Sequence, residues 1–148
     1  MPTPTPAAEL TIGFALTGEP FEVSRDSIRA FSDASLDFNP LHWDDEYMKG
    51  SFGRTQFGGI IMHGMNNFGI ISKMLTDWLH ATGGTHRRLE TRWRTPVKPG
   101  DTITPRGRVT ALKRTRLAQL ALLEIEVRNQ RDETVATGEA MVELPVRD

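Results

Sequence analysis

The chain is expected to fold as α+β, with one long helix lying on one antiparallel sheet. Two observations predict this. Ile61, Met65, Phe68, Ile71, Leu75, Trp78 and Leu79 fall near one broad stripe at helical spacing. From His86 onward the period changes to two, and the apolar positions alternate with polar ones. The later segments are joined by short turn signals, Lys98-Pro-Gly-Asp101 and residues 129–133, so neighbouring strands run as an antiparallel meander. A length of 148 residues suits one domain with a real hydrophobic core. That domain is expected over residues 9–148.

Residues 1–8, Met-Pro-Thr-Pro-Thr-Pro-Ala-Ala, have nothing to bury and read as a disordered tail. Residues 10–21 are extended but interrupted by Gly13, Gly18 and Pro20. Ser24 is a helix N-cap with Asp26 in the first turn, where the helix dipole favours an acid. Ile28 and Phe31 follow at helical spacing. A short helical piece over residues 44–49 closes at Gly50. Residues 50–59, with four glycines, connect it to the long helix, which stops at Gly83-Gly84. Strands are expected over residues 88–97, 102–112, 123–128 and 136–144.

Composition excludes several functions. There is no cysteine, which removes disulfides, thiolate catalysis and thiolate zinc sites. The net charge of -1 offers no global attraction to nucleic acid or to a membrane. No apolar run approaches a membrane span. The first residues lack a basic region followed by an apolar stretch, so a cytoplasmic protein is expected. Charge is nonetheless uneven. Residues 1–85 carry five Lys/Arg against ten Asp/Glu, while residues 86–116 carry ten Lys/Arg against Glu90 and Asp101. Two readings of this basic run are open, a solvated sheet face or a patch for a polyanionic small ligand. Only Trp93 offers a stacking surface within it, which argues against nucleic acid.

The chemistry concentrates in Leu36-Asp-Phe-Asn-Pro-Leu-His-Trp-Asp-Asp45. Pro40 fixes its own φ, removes a donor and pushes Asn39 toward extended geometry, so this segment is no regular helix. Fully extended, the five steps from Asp37 to His42 would span roughly 17 Å. A turn at Asn39-Pro40 instead brings a carboxylate and an imidazole to a common point, where they form a general acid–base pair. Asp44 and Asp45 could join them around a metal ion, but a polar loop often holds such a cluster by chance, and no metal is expected.

Asp37-Phe-Asn-Pro-Leu-His42, followed by Phe57-Gly-Gly-Ile-Ile-Met-His-Gly-Met65 and then by Arg94-Thr-Pro-Val-Lys-Pro-Gly-Asp101, resembles the MaoC-like (R)-specific enoyl-CoA hydratases. The likeness runs from about Phe21 to Pro145. It implies a hotdog fold, in which an antiparallel sheet wraps the long helix. It also implies reversible addition of water to a trans-2-enoyl-CoA thioester, with Asp37 and His42 as catalytic dyad. Gly64 matches the family's oxyanion donor, and a backbone N–H at a helix start suits that task. Asn39 is expected to brace the loop, Ser72 to support it, and His63 to satisfy loop hydrogen bonds near the helix start. Trp43 and Phe57 are candidates either for an acyl tunnel or for the core. The resemblance implies an acyl-CoA substrate, no cofactor beyond the coenzyme A that the substrate carries, and a homodimer or higher homo-oligomer.

Two departures stand out. The family pattern places a glycine before the dyad aspartate, where this chain has Leu36. Apolar residues usually follow His-Gly-Met, where this chain has Asn66-Asn67. These asparagines face the acyl cavity, solvent or a partner subunit. Two other hotdog activities compete with hydration: acyl-CoA thioester hydrolysis, and acyl-CoA binding without catalysis.

Overall fold

A computed structural model describes residues 10–50 and 57–146. The expected tail and most of the glycine-rich connection lie outside the described residues. Residues 10–21 form two short strands, β1 (Ala15–Thr17) and β2 (Phe21–Glu22). Helix α1 (Arg25–Ser35) starts at Ser24, whose hydroxyl accepts from Ser27 N–H while the Ser27 hydroxyl faces the Ser24 backbone N–H. It is amphipathic and buries Ile28 and Ser32. A 3₁₀ turn (Pro40–His42) and the short helix α2 (Asp45–Lys49) follow. Helix α3 spans Gly64–Thr82 and ends at Gly83, which takes a left-handed φ of 72° as a C-cap.

The sheet follows. Strands β3 (Thr85–Trp93), β4 (Thr102–Arg114), β5 (Ala118–Asn129) and β6 (Thr134–Pro145) pair antiparallel in the order β1-β4-β5-β6-β3, with β2 also on β4. Register shifts near Arg87, Thr110 and Val135 interrupt the ladders. Such bulges bend a sheet, and here they let it curve around α3. Ile71, Leu75, Trp78 and Leu79 of α3 pack into one core with Ile103, Val109, Leu123, Val127 and Val142 of the sheet. Each such side chain removed from water contributes about 1.5–3 kcal/mol.

The structure departs from the sequence expectation in several places. Ile61 precedes α3 instead of lying on its stripe, and β5 begins at Ala118, ahead of the expected residue 123. β3 ends at Trp93 instead of continuing through residues 94–97. The chain leaves the sheet at Thr95-Pro96, and the Val97 carbonyl accepts Met62 N–H at 2.7 Å instead. That bond anchors the segment leading into α3. The buried face of α3 also differs. Met65 is exposed, whereas Asn66 and Asn67 are buried, because Asn67 stands one helical turn before Ile71 on the inner face. Leu36, which stands where the family pattern has glycine, is the C-cap of α1 and has φ 60° in the left-handed region.

A side chain in that conformation costs roughly 1–2 kcal/mol, which glycine avoids. Leu36 is 78% exposed, so it returns little through packing. Leu36→Gly is therefore expected to stabilise the fold by about 1 kcal/mol, raising Tm by a few degrees in thermal unfolding. An unchanged or lower Tm would show that Leu36 earns its place through contacts outside this chain.

Candidate active site

The turn predicted at Asn39-Pro40 forms, and side chains hold it. Asp37 Oδ1 accepts Asn39 N–H at 3.1 Å, and Asn39 Oδ1 accepts Leu41 N–H at 3.1 Å, capping the 3₁₀ turn. Trp43 Nε1–H donates to the Phe38 carbonyl at 2.9 Å. The result places Asp37 Oδ2 3.9 Å from His42 Nε2. The imidazole is buried, while about half of the Asp37 side chain is exposed.

Neighbouring carbonyls show which nitrogen of each histidine donates, since a carbonyl only accepts. His42 Nδ1 lies 2.7 Å from the Ile61 carbonyl, so Nδ1–H donates there and Nε2 is the ring nitrogen turned toward Asp37. Ile61 N–H in turn donates to the Leu41 carbonyl at 3.0 Å, tying this segment to the turn. His63 Nε2–H donates to the Asp37 carbonyl at 3.1 Å, with Ser32 Oγ at the same distance. The His63 ring stacks on His42 with centroids 3.6 Å apart and packs against Phe31. Burial pushes the His63 pKa down, a bond to the Asp37 carbonyl opposes this, and the neighbouring His42 adds to the depression. His63 therefore works as a neutral clamp between α1, the loop and α3.

Asp37, His42 and His63 bring their ligand atoms within 4.8 Å of one another. Their arrangement suits a metal poorly. The two rings are stacked at an interplanar angle of 22°, so their in-plane lone pairs run side by side rather than toward one ion. Asp44 caps α2 through Tyr47 N–H, and Asp45 pairs with Arg25, so neither turns to the dyad.

Gly64 is the first residue of α3, and no side chain caps that end. A Cβ there would lie 2.6 Å from Trp93 Nε1, so any side chain at this position would displace the indole. A cavity of about 440 Å³ opens between α1 and the loop, lined by Arg29, Ser32, Phe38, His42, Trp43 and Ile60 among others. That volume falls within the range of small-molecule sites. Trp43 thus belongs to the cavity wall. Phe57 is half-buried and is not among the residues lining it. Ser72 lies half-buried on α3, about 12 Å along the axis from Gly64, with no hydrogen bond to the loop among the described residues. His80 is exposed, and His86 pairs with Thr76 Oγ1 at 3.2 Å, far along the helix.

Much of the basic run lies on the outer face of the sheet. Arg92, Arg94, Arg106 and Arg108 line a groove on the side of the sheet opposite α3, together with Glu90, Glu124, Glu126 and Glu139. Arg106 stands opposite Glu126 and Arg108 opposite Glu124 across the β4–β5 ladder. Opposite charges so paired stabilise a sheet surface. Sequence reasoning missed two residues near the dyad. Ser32 was legible as a polar residue one helical turn after Ile28 on the buried stripe. The approach of Trp93 to Gly64 had no local signal.

Fold and site together define a hotdog-type protein whose Asp–His loop is packed against the start of its central helix. The family model described as "MaoC like domain" matches residues 9–131. The chain belongs to the MaoC-like family. It is 33% identical over 118 residues to the (R)-specific enoyl-CoA hydratase of Aeromonas caviae, covering 80% of this chain and 84% of that one. It is 30% identical over 131 residues to a 3-hydroxybutyryl-CoA dehydratase of Methylorubrum extorquens, covering 86% and 76%. The solved (R)-hydratase structure from A. caviae superposes with a TM-score of 0.80 at 30% identity, covering 94% of this chain and all of that one.

Proposed function

We propose that this protein hydrates trans-2-enoyl-CoA thioesters to (R)-3-hydroxyacyl-CoA and catalyses the reverse dehydration, using Asp37 and His42 as its dyad. The observation that carries this reading is the facing pair of a carboxylate oxygen, Asp37 Oδ2, and an imidazole nitrogen, His42 Nε2, 3.9 Å apart. That separation is too long for a direct hydrogen bond. It is close to that of two acceptors sharing one water, each about 2.8 Å from its oxygen. A water held so has both protons engaged and a lone pair free to attack.

Attack forms the bond from the water oxygen to C3. The C2–C3 π pair moves toward the carbonyl, and negative charge develops on the thioester oxygen. Gly64 N–H, at the positive end of α3 where no side chain caps the helix, is the donor proposed to receive that charge. One water proton passes to the dyad, and a proton returns from the dyad to C2 as the carbonyl re-forms. Both transfers occur on one face of the substrate, so addition is syn. The proton belongs to the coupled pair rather than to either residue.

The reaction needs no cofactor, since coenzyme A arrives on the substrate. The outer edge of β3, which among the described residues pairs only with β6, supports a homodimer joined along that edge.

Crotonyl-CoA tests the reading. Its enoyl absorbance is expected to fall on addition of protein, with no thiol released and with the (R)-3-hydroxy product on chiral chromatography. Stoichiometric release of CoA thiol would assign thioester hydrolysis instead. Tight binding without turnover across a panel of enoyl-CoA chain lengths would assign a binding protein.

A further inference from the structure

Hydration places negative charge on an oxygen with more than one lone pair, and Gly64 supplies one donor. A second N–H stands beside it. Side chains alternate along β3, so Arg92 turns to the outer groove while Trp93, opposite Ala136 on β6, turns to the α3 side. The indole meets Gly64 with one particular corner. A Cβ on Gly64 would lie 2.6 Å from Trp93 Nε1, 2.7 Å from Cε2 and 3.0 Å from Cδ1. These are the N–H corner of the ring. The benzo edge lies farther away. Trp93 Nε1 has no hydrogen-bond partner among the described residues, unlike the tied Nε1 of Trp43. Within one protomer the ring is 46% exposed, so the core of that protomer does not account for it.

Distances allow the two donors to act together. A Cβ lies about 2.5 Å from its own backbone nitrogen, which puts Trp93 Nε1 within about 5 Å of Gly64 N. Two donors each about 2.9 Å from one oxygen can stand up to about 6 Å apart.

We propose that Trp93 Nε1–H is a second donor to the thioester oxygen, forming with Gly64 N–H a two-donor oxyanion hole. This role rests on the hydratase reading above. It makes Trp93 a catalytic residue, and it explains why the ring sits where a side chain at position 64 would otherwise go. A purely structural Trp93 would only cover the helix end.

Two replacements separate the roles. Trp93→Phe keeps an aromatic ring and removes the N–H. β-(3-benzothienyl)alanine at position 93 keeps the whole indole shape with sulfur in place of N–H, so it guards against a folding artefact. Both are expected to lower kcat for crotonyl-CoA at least about tenfold with little change in KM, as removal of one oxyanion donor does. A second readout uses cinnamoyl-CoA, whose absorbance shifts to the red when its carbonyl accepts hydrogen bonds. In an Asp37→Asn background, which blocks turnover, the shift on binding is expected to shrink in both replacements.

Unchanged kcat in the benzothienyl protein overturns the role. So does a fall in kcat with an undiminished red shift, which assigns Trp93 to packing. If the wild-type protein leaves enoyl-CoA thioesters untouched, the hydratase reading falls and the second donor falls with it. An active wild type with indifferent Trp93 replacements removes only the second donor.

Discussion

Asp37→Asn and His42→Ala are each expected to lower kcat for enoyl-CoA hydration by about a thousandfold, the scale of a lost general acid–base group. Asparagine keeps the shape of aspartate and its acceptor toward Asn39 N–H, and the side chain is half exposed, so Tm should hold. His42→Ala also removes the donor to the Ile61 carbonyl and the ring that stacks on His63. It should therefore lower Tm by several degrees, and its rate must be read well below that temperature. The double variant should be scarcely slower than His42→Ala, because residues that act as a unit lose their effect together. Steady-state kinetics on crotonyl-CoA with circular dichroism of each variant decide this. Wild-type rates in either single variant would refute the dyad.

The largest expected effect on stability is at His63. His63→Ala should destabilise the fold by about 2–4 kcal/mol, combining a buried cavity with lost hydrogen bonds. The residue is 1% exposed and fills the space between Phe31 and His42. Its removal leaves the Asp37 carbonyl and Ser32 without their common partner.

Acidity adds a sign to the same prediction. In the unfolded chain His63 titrates near 6.5. In the fold its pKa is lower, chiefly because it is buried. Below pH about 6.5 the unfolded state therefore binds more protons, so this residue withdraws stability as pH falls and withdraws none above that value. His86 is depressed in the same direction by burial, but it is present in both proteins. The gap in unfolding free energy between wild type and His63→Ala should accordingly narrow from pH 7.5 to pH 5.5. Urea unfolding at fixed protein concentration measures it. A gap that widens toward acid would mean that His63 is protonated in the fold.

Most of the scaffold was legible because its causes are local. Ser24 and Asp26 start α1, Gly83 stops α3, and Pro99-Gly100 turns the chain before β4, each through the backbone geometry of the residue itself. Periodicity separated the helix from the strands for the same reason. The dyad was legible because Pro40 forces a turn wherever it stands, and the turn brings Asp37 to His42.

Other features depend on what lies across the fold. Met65 was misassigned to the buried stripe because hydropathy ranks it above asparagine, whereas the curved sheet sets which face of α3 is inside. The basic run was open to two readings because a strand has two faces, and only the ladder shows Arg106 and Arg108 opposite glutamates. Leu36 revealed its left-handed conformation only once α1 and the loop were joined.

By itself the sequence determined the helix and strand periods, the caps, the absence of thiol chemistry, and a carboxylate and imidazole brought together by an Asn-Pro turn. Tertiary structure alone decided which ring nitrogens of His42 and His63 donate, the clamp through Ser32, and the approach of Trp93 to Gly64. Those contacts join residues 19 to 31 positions apart. They arise from packing between elements, and no spacing rule along one chain segment encodes them.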